Sequence, residues 1–198
     1  MRPAYAHIIT RARSIIIALW FSLSLSAGNI SADSVLFAAY QREDMSVWKE
    51  YVDKNQDLLY EYGFCGYMVD RDKEHALPYV QRLKSHTIHH KSQLPAGHYE
   101  MYMSAVYVFE LRLHESIHPI KAMNLAKEAV RLAPEDPLTL SYYGTCLFYA
   151  PKPFGSKSEA LKWFEKAKTH FVGNRWQYCW VREATQMYID QCQEKLKK

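Results

Sequence analysis

From about residue 33 onward, apolar side chains recur every three or four positions, and each run is broken by a proline, a glycine or a short polar stretch. That period lays apolar groups along one stripe of a helix, whereas a half-buried strand would alternate every second residue. The runs predict helices over residues 33–42, 45–54, 56–69, 72–87, 98–114, 119–132, 137–149 and 157–171. A last segment, 174–196, is amphipathic and runs into terminal lysines that complement the negative end of a helix. No β pattern of comparable strength appears, so the chain reads as all-α.

Local start signals sharpen several boundaries. Asp136-Pro137 sets an acidic cap before a proline at the first helical position, and Asp44 stands where a cap for 45–54 belongs. Ser156 and Glu159 have capping-box spacing, so the serine oxygen serves a free N–H of the first turn while the glutamate reaches back. The same stretch, Gly155–Ser158, is not a phosphate loop. Lys157 and Ser158 follow Ser156 where a P-loop needs glycine, and no β-branched run precedes them. Ser156 is therefore expected to matter for stability, and Lys157 hardly at all.

Two segments repeat one another: Leu59, Tyr62, Gly63 and Cys65 match Leu140, Tyr143, Gly144 and Cys146. Each leads through a polar turn into a second helix, and the second helices of the chain carry their own stripes, Ala122, Ala126 and Ala129 in 119–132 and Ala160, Phe164 and Ala167 in 157–171. Ala76, Val80 and Leu83 make a less regular version. Small residues at that spacing let two helices approach closely.

With these residues in hand, the chain resembles the tetratricopeptide repeat family, whose units pair a bulky, bulky-Gly, Tyr/Leu helix with an Ala, apolar, Ala, Pro helix. The third unit carries LxxYG at Leu140–Gly144 and AxxxFxxA at Ala160–Ala167, with about four extra residues in its PKPFG turn; the second has Glu110 where a small residue is usual. Exported bacterial members look alike in having an aromatic YG helix, a P-x-FG loop and an N-terminal helix with a tryptophan, here Trp48. The resemblance implies antiparallel helix hairpins stacked as an α-solenoid, with units at about 56–90, 98–134 and 137–171, two N-terminal helices, and a closing helix at 174–196 that covers one apolar end of the stack.

The N-terminus changes the picture of where the chain works. Arg2, Arg11 and Arg13 precede an uncharged run, Ser14–Gly28, that exits through small residues. This is the make-up of an export signal over 1–28, cleaved within 26–32, and the run is shorter than the roughly 20 residues of a transmembrane helix. The expectation is a periplasmic or secreted domain over 33–198 with no stable membrane insertion. Removing the signal takes away three arginines and no acid, so the formal charge falls from +4 to +1. A nearly neutral domain lacks the clustered cations that nucleic acid requires. Cys65, Cys146, Cys179 and Cys192 are too few and too widely spaced for a disulfide framework, and the pattern reads as free thiols.

Chemistry is sparse. His86 and His90 stand four apart, close enough on a helix to share a metal, but Thr87 occupies the position where a metalloprotease motif needs glutamate. No serine sits in a GxSxG elbow, no cysteine has a histidine that the repeat map places beside it, and the acid pairs Glu43-Asp44, Asp70/Asp72 and Glu135-Asp136 fall at helix starts. No catalytic residue, metal or cofactor is expected. The resemblance implies that the first helices line a concave groove presenting Tyr107, Leu111 and His114 from the second unit and Ser141, Thr145, Phe148 and Tyr149 from the third. Tyr62, Phe109, Tyr143, Trp163 and Phe164 fall on packing positions. The implied function is a non-catalytic scaffold for another protein or an extended peptide. The alternative is a small-molecule binding protein with an aromatic pocket in the groove, closed and concave where a peptide site is long and open.

Overall fold

The computed structural model describes residues 32–114, 118–171 and 178–197. The expected export segment over 1–28 and the start of the closing helix at 174–177 lie outside them. Among the described residues there are nine α-helices and no strand: α1 (Ala32–Gln41), α2 (Met45–Lys54), α3 (Leu58–Arg71), α4 (Lys73–His89), α5 (His98–Arg112), α6 (Pro119–Leu132), α7 (Pro137–Tyr149), α8 (Lys157–His170) and α9 (Cys179–Leu196). None is long and apolar enough to cross a membrane.

The caps that start these helices are largely local. Asp57 accepts from the Leu59 amide at 3.1 Å and Asp136 from the Thr139 amide at 2.8 Å. Proline opens both α6 and α7. Ser156 accepts from the Glu159 amide at 3.5 Å, which is the forward half of the expected capping box. Asp44 does sit before α2, yet its carboxylate takes the Ser46 hydroxyl and caps no backbone amide. Gly97, at φ 80°, turns the chain into α5, and a Cβ there would stand 2.5 Å from the Ala129 carbonyl oxygen.

Successive helices pack against one another as α3 with α4, α5 with α6 and α7 with α8, and α3, α5 and α7 also touch in that order. The second-helix stripes make these contacts, since Ala76, Val80, Leu83, Ala122, Ala126, Ala129, Ala160, Phe164 and Ala167 are all buried. Helix α2 lies on α3 and α1 on α2, and α9 packs on α8 and α7 and reaches back to α1. The two ends of the described chain therefore meet.

An aromatic centre fills the space they enclose. The ring of Tyr62 lies 6.0–6.2 Å from those of Tyr102, Phe109, Tyr142 and Trp180, which brings α3, α5, α7 and α9 together. Trp48 meets Trp180 edge-on at 5.4 Å and Tyr60 at 5.2 Å, and its indole N–H donates to the Leu36 carbonyl at 2.6 Å. Each fully buried ring of this kind contributes about 1.5–3 kcal/mol by leaving water.

Here the matched segments part company. A Cβ on Gly144 would meet the Phe164 ring at 2.8 Å, and Tyr143 packs edge-on against Trp163, so this pair faces its own second helix. A Cβ on Gly63 would instead meet Trp48 at 2.5 Å and Trp180 at 3.1 Å. The face of α3 that meets α4 carries Phe64, whose ring packs on Tyr79 at 5.0 Å. Cys65, Cys146, Cys179 and Cys192 are all free thiols.

Candidate functional site

The seven residues assigned to a common groove do not share one. Tyr107 is half-buried on the other side of α5, with Lys84 of α4 at 5.8 Å and Lys121 of α6 at 4.5 Å from its ring and His118 edge-on at 6.5 Å. The face of α5 that meets α3 carries Tyr102 and Phe109 instead. Leu111 is half-buried and His114 is exposed at φ 63°, in the turn that ends α5.

On α7, the closing helix occupies the face that was expected to be open. Ser141 is buried, with its hydroxyl 2.7 Å from that of Thr185 on α9, and half-buried Thr145 donates to the Ser141 carbonyl at 3.1 Å. Phe148 is only 3% exposed, because Tyr188 of α9 packs on it at 5.2 Å. Ser141 and Phe148 are thus interior positions. The cause is general: a stripe of apolar residues says that a helix face is covered, not which element covers it.

Tyr149 is different. It is 67% exposed, its hydroxyl lies 3.3 Å from that of Tyr188, and its ring meets Phe148 edge-on at 5.0 Å. Phe154, in the turn between α7 and α8, is 63% exposed. Rings left this open contribute little to folding, so their exposure asks for another explanation.

Two cations complete the surface. Lys157, at the start of α8, sets its ammonium 3.4 Å from the centre of the Phe148 ring and donates to the Phe148 carbonyl, while Lys195 of α9 approaches the same ring at 5.0 Å. Burial and then the neighbouring Lys195 push the Lys157 ammonium below its ordinary value. No described carboxylate pairs with Lys157. The expectation that Lys157 is inert is therefore corrected: its stem and charge cover the Phe148 ring, a contact worth about 0.5–1 kcal/mol at a half-exposed position. A lysine beside an exposed tyrosine and phenylalanine was hidden by the helix start, where GSKS reads only as a cap.

No known family model, curated protein or solved structure matches this chain. The functional reading therefore rests on its own residues.

The other chemically suggestive group centres on a buried acid. Glu61 is 1% exposed on α3, and its carboxylate meets the His86 Nδ1 at 2.7 Å and the Arg82 Nε at 3.8 Å. Arg82 continues to Asp53 at 3.0 Å, and Asp53 to Lys49 at 2.6 Å, which ties α2, α3 and α4 into one chain of charges. Burial pushes the Glu61 carboxyl up, against the pull of His86 and Arg82. Glu61 itself is buried while Arg82, Asp53 and Lys49 reach the surface, so the chain runs from the interior outward and links the three helices. His90 turns instead to Gln56 and Gln93, at 3.3 and 3.4 Å, so His86 and His90 do not converge on one point. Among the described residues no group of three or more His, Cys, Asp or Glu is placed to hold a metal ion. Glu61 went unnoticed in the sequence. The available signal was an acid inside an otherwise apolar helix, Leu58–Tyr67, with a basic cluster one hairpin arm away.

Proposed function

We propose that the chain is an exported, non-catalytic helical scaffold of the tetratricopeptide type that docks another protein or an extended peptide on the surface around Tyr149. The observation that carries this is the exposure of Tyr149 and Phe154 beside Lys157, a cation with no described carboxylate partner. Interface energy concentrates in a few aromatic anchors, and tyrosine supplies large area at low entropy cost with one polar tip. Three helix pairs with small-residue stripes support the repeat reading. The arginine-led, small-residue-ended segment before residue 29 supports export.

The experiment compares two baits. Mature protein and its Tyr149→Ala/Phe154→Ala double variant, both shown to be folded by circular dichroism, are used to capture proteins from an envelope extract in parallel. A stoichiometric partner held by the first bait and lost from the second supports the reading. A partner held equally by both places docking elsewhere and sinks it.

A further inference from the structure

The charges that converge beside Tyr149 share one sign. Lys157 from the start of α8 and Lys195 from the end of α9 bring their ammonium groups to the same Phe148 ring, at 3.4 and 5.0 Å from its centre. The Lys157 ammonium also stands 6.0 Å from the centre of the Tyr149 ring, which joins cations and exposed aromatics into one surface. Lys152 is exposed in the turn that carries Phe154.

Among the described residues no carboxylate pairs with Lys157 or Lys195, and the groups that act on the Lys157 ammonium are Lys195 and the Cys192 thiol. The acids of the neighbouring turns are occupied. Glu159 bears on Tyr143, Asp190 accepts from Gln186 at 2.8 Å, and Glu194 is itself engaged. Asp70, whose field reaches Tyr188, is paired with Arg112. Two like charges held over one ring repel each other, and the fold keeps them there without an acid between them. A carboxylate placed beside both would relieve the repulsion and accept charge-assisted hydrogen bonds. Lys157 gives one N–H to the Phe148 carbonyl, and an ammonium has three to give.

The source of that carboxylate is narrowed by the sequence. Neither residues 1–31 nor residues 172–177 contain an Asp or Glu, and the acids of the adjoining helices already serve other groups. The acid therefore comes from another molecule. A bilayer is the other partner that takes lysines and exposed rings together. Recognition of anionic lipid, however, draws on about four to eight clustered cations or a broad apolar helix face, and here three lysines flank two exposed rings.

We infer, on the reading of the Tyr149 surface as a docking site, that its occupant is an acidic segment of another protein. Its carboxylates meet Lys157 and Lys195, and an apolar side chain lies against the Tyr149 and Phe154 rings.

Titration of the folded protein near neutral pH and at low salt tests this with two end-blocked peptides that differ only in charge, Gly-Glu-Glu-Leu-Glu-Gly and the same peptide with Gln in place of each Glu. The acidic peptide should bind saturably and about tenfold more tightly than the neutral one, and salt at about 300 mM should remove most of the difference. Lys195→Gln changes an exposed side chain far from any cap and should weaken the acidic peptide about threefold. Lys157→Gln/Lys195→Gln, checked for folding by its thermal midpoint, should weaken it about tenfold and leave the neutral peptide unmoved. Tyr149→Ala/Phe154→Ala should weaken both peptides.

Equal binding of the two peptides, both lost with Tyr149→Ala/Phe154→Ala, leaves the docking surface standing and overturns its acidic occupant. So does an acidic peptide held as tightly by Lys157→Gln/Lys195→Gln and by Lys195→Gln as by the unaltered chain, or no saturable binding up to about 5 mM. Phosphatidylserine vesicles that bind through the same lysines, where the acidic peptide does not bind, make the partner a membrane and also overturn it. An acidic peptide that needs the lysines and ignores Tyr149→Ala/Phe154→Ala sinks instead the docking surface itself, and the inference with it.

Discussion

In the third hairpin, Tyr143 and Gly144 press against α8, and in the first the same dipeptide turns away from α4 toward tryptophans from distant parts of the chain. The two hairpins answer the same physical need with different neighbours. Gly144 lets two helices of one pair close on each other. Gly63 makes room for Trp48 and Trp180, so the first hairpin is fixed by α2 and α9 and joined to its own partner through Phe64 and the Glu61–His86 pair. Helix α9 covers the third hairpin as well, yet Tyr149 and Phe154 stay in water there. A local motif thus specifies a close approach and leaves the identity of the approaching group to the rest of the fold.

The largest effect should come from removing the outside element that seals the first hairpin. Trp48 is 1% exposed and touches Tyr40, Tyr60 and Trp180, so Trp48→Ala is expected to cost roughly 3–5 kcal/mol. Hydrogen exchange should accelerate first in α1, α2 and α3, with α7 and α8 keeping their protection. Equal loss of protection in all five helices would show that the two ends do not behave separately.

A finer comparison exchanges the glycines. Gly63→Ala drives a methyl into an indole held from two sides, whereas Gly144→Ala meets a Phe164 ring stacked on half-buried Tyr188. Both changes overpack a core, which costs about 1–3 kcal/mol, and the first should fall at the upper end of that range and the second at the lower. Urea midpoints for the two variants decide it, and the reverse order would break the comparison.

The two acidic caps differ in sign. Burial alone would raise the Asp136 carboxyl, but the bonds from His98 and Thr139 outweigh it and hold it below the ordinary value. Burial raises the Asp57 carboxyl, and its backbone bonds do not bring it back. A lowered carboxylate contributes stability that is present above its unfolded pKa, about 3.9, and is lost as the pH falls through the folded value. A raised one acts oppositely, and its contribution is lost as the pH rises through the folded value. Asn caps about as well as Asp, so Asp136→Asn should destabilise by about 0.5–1 kcal/mol at pH 7, with the deficit fading below pH 4 or so. Asp57→Asn should be neutral or slightly stabilising at pH 7. Thermal midpoints of both variants between acid and neutral pH measure the two signs, and a common sign would refute the assignment.

Much of this was legible because its causes are short-range. Asp136-Pro137 and the Pro119 start place α7 and α6 to the residue, and the small-residue stripes identify the buried side of α4, α6 and α8. Helix α5 is shorter than its apolar run suggests, since His114 leaves the helical region at φ 63°. What could not be read was contact at long sequence range. Trp180 reaches Gly63 across more than a hundred residues, and Tyr188 covers Phe148 across forty, so the groove expected on α7 is filled by a helix whose amphipathic pattern names no partner. Tyr107 was misplaced for the same reason, since two residues along the helix separate it from Phe109 and turn it from the α3 side to the α4/α6 side.

The smallest expected effect is the one that bears most on function. Tyr149 leaves two thirds of its surface in water, and its contacts include one long hydroxyl contact to Tyr188 and the edge of Phe148. The Tyr149 ring also stands edge-on to the Tyr188 ring at 6.0 Å, with the Lys157 ammonium at 6.0 Å, and Phe154 is nearly as open. Substitutions at such positions away from a cap or core usually stay within about 0.5 kcal/mol, so Tyr149→Ala and Phe154→Ala should each leave the urea midpoint almost unmoved. Phe148→Ala, one residue away, removes a buried ring and the seat of two lysines, and should cost about 3 kcal/mol or more. That contrast between adjacent residues separates a ring that holds the fold from a ring that is free to meet a partner. If Tyr149→Ala destabilised the protein as much as Phe148→Ala, the exposed tyrosine would be part of the seam between α7 and α9, and the docking surface would lose its central anchor.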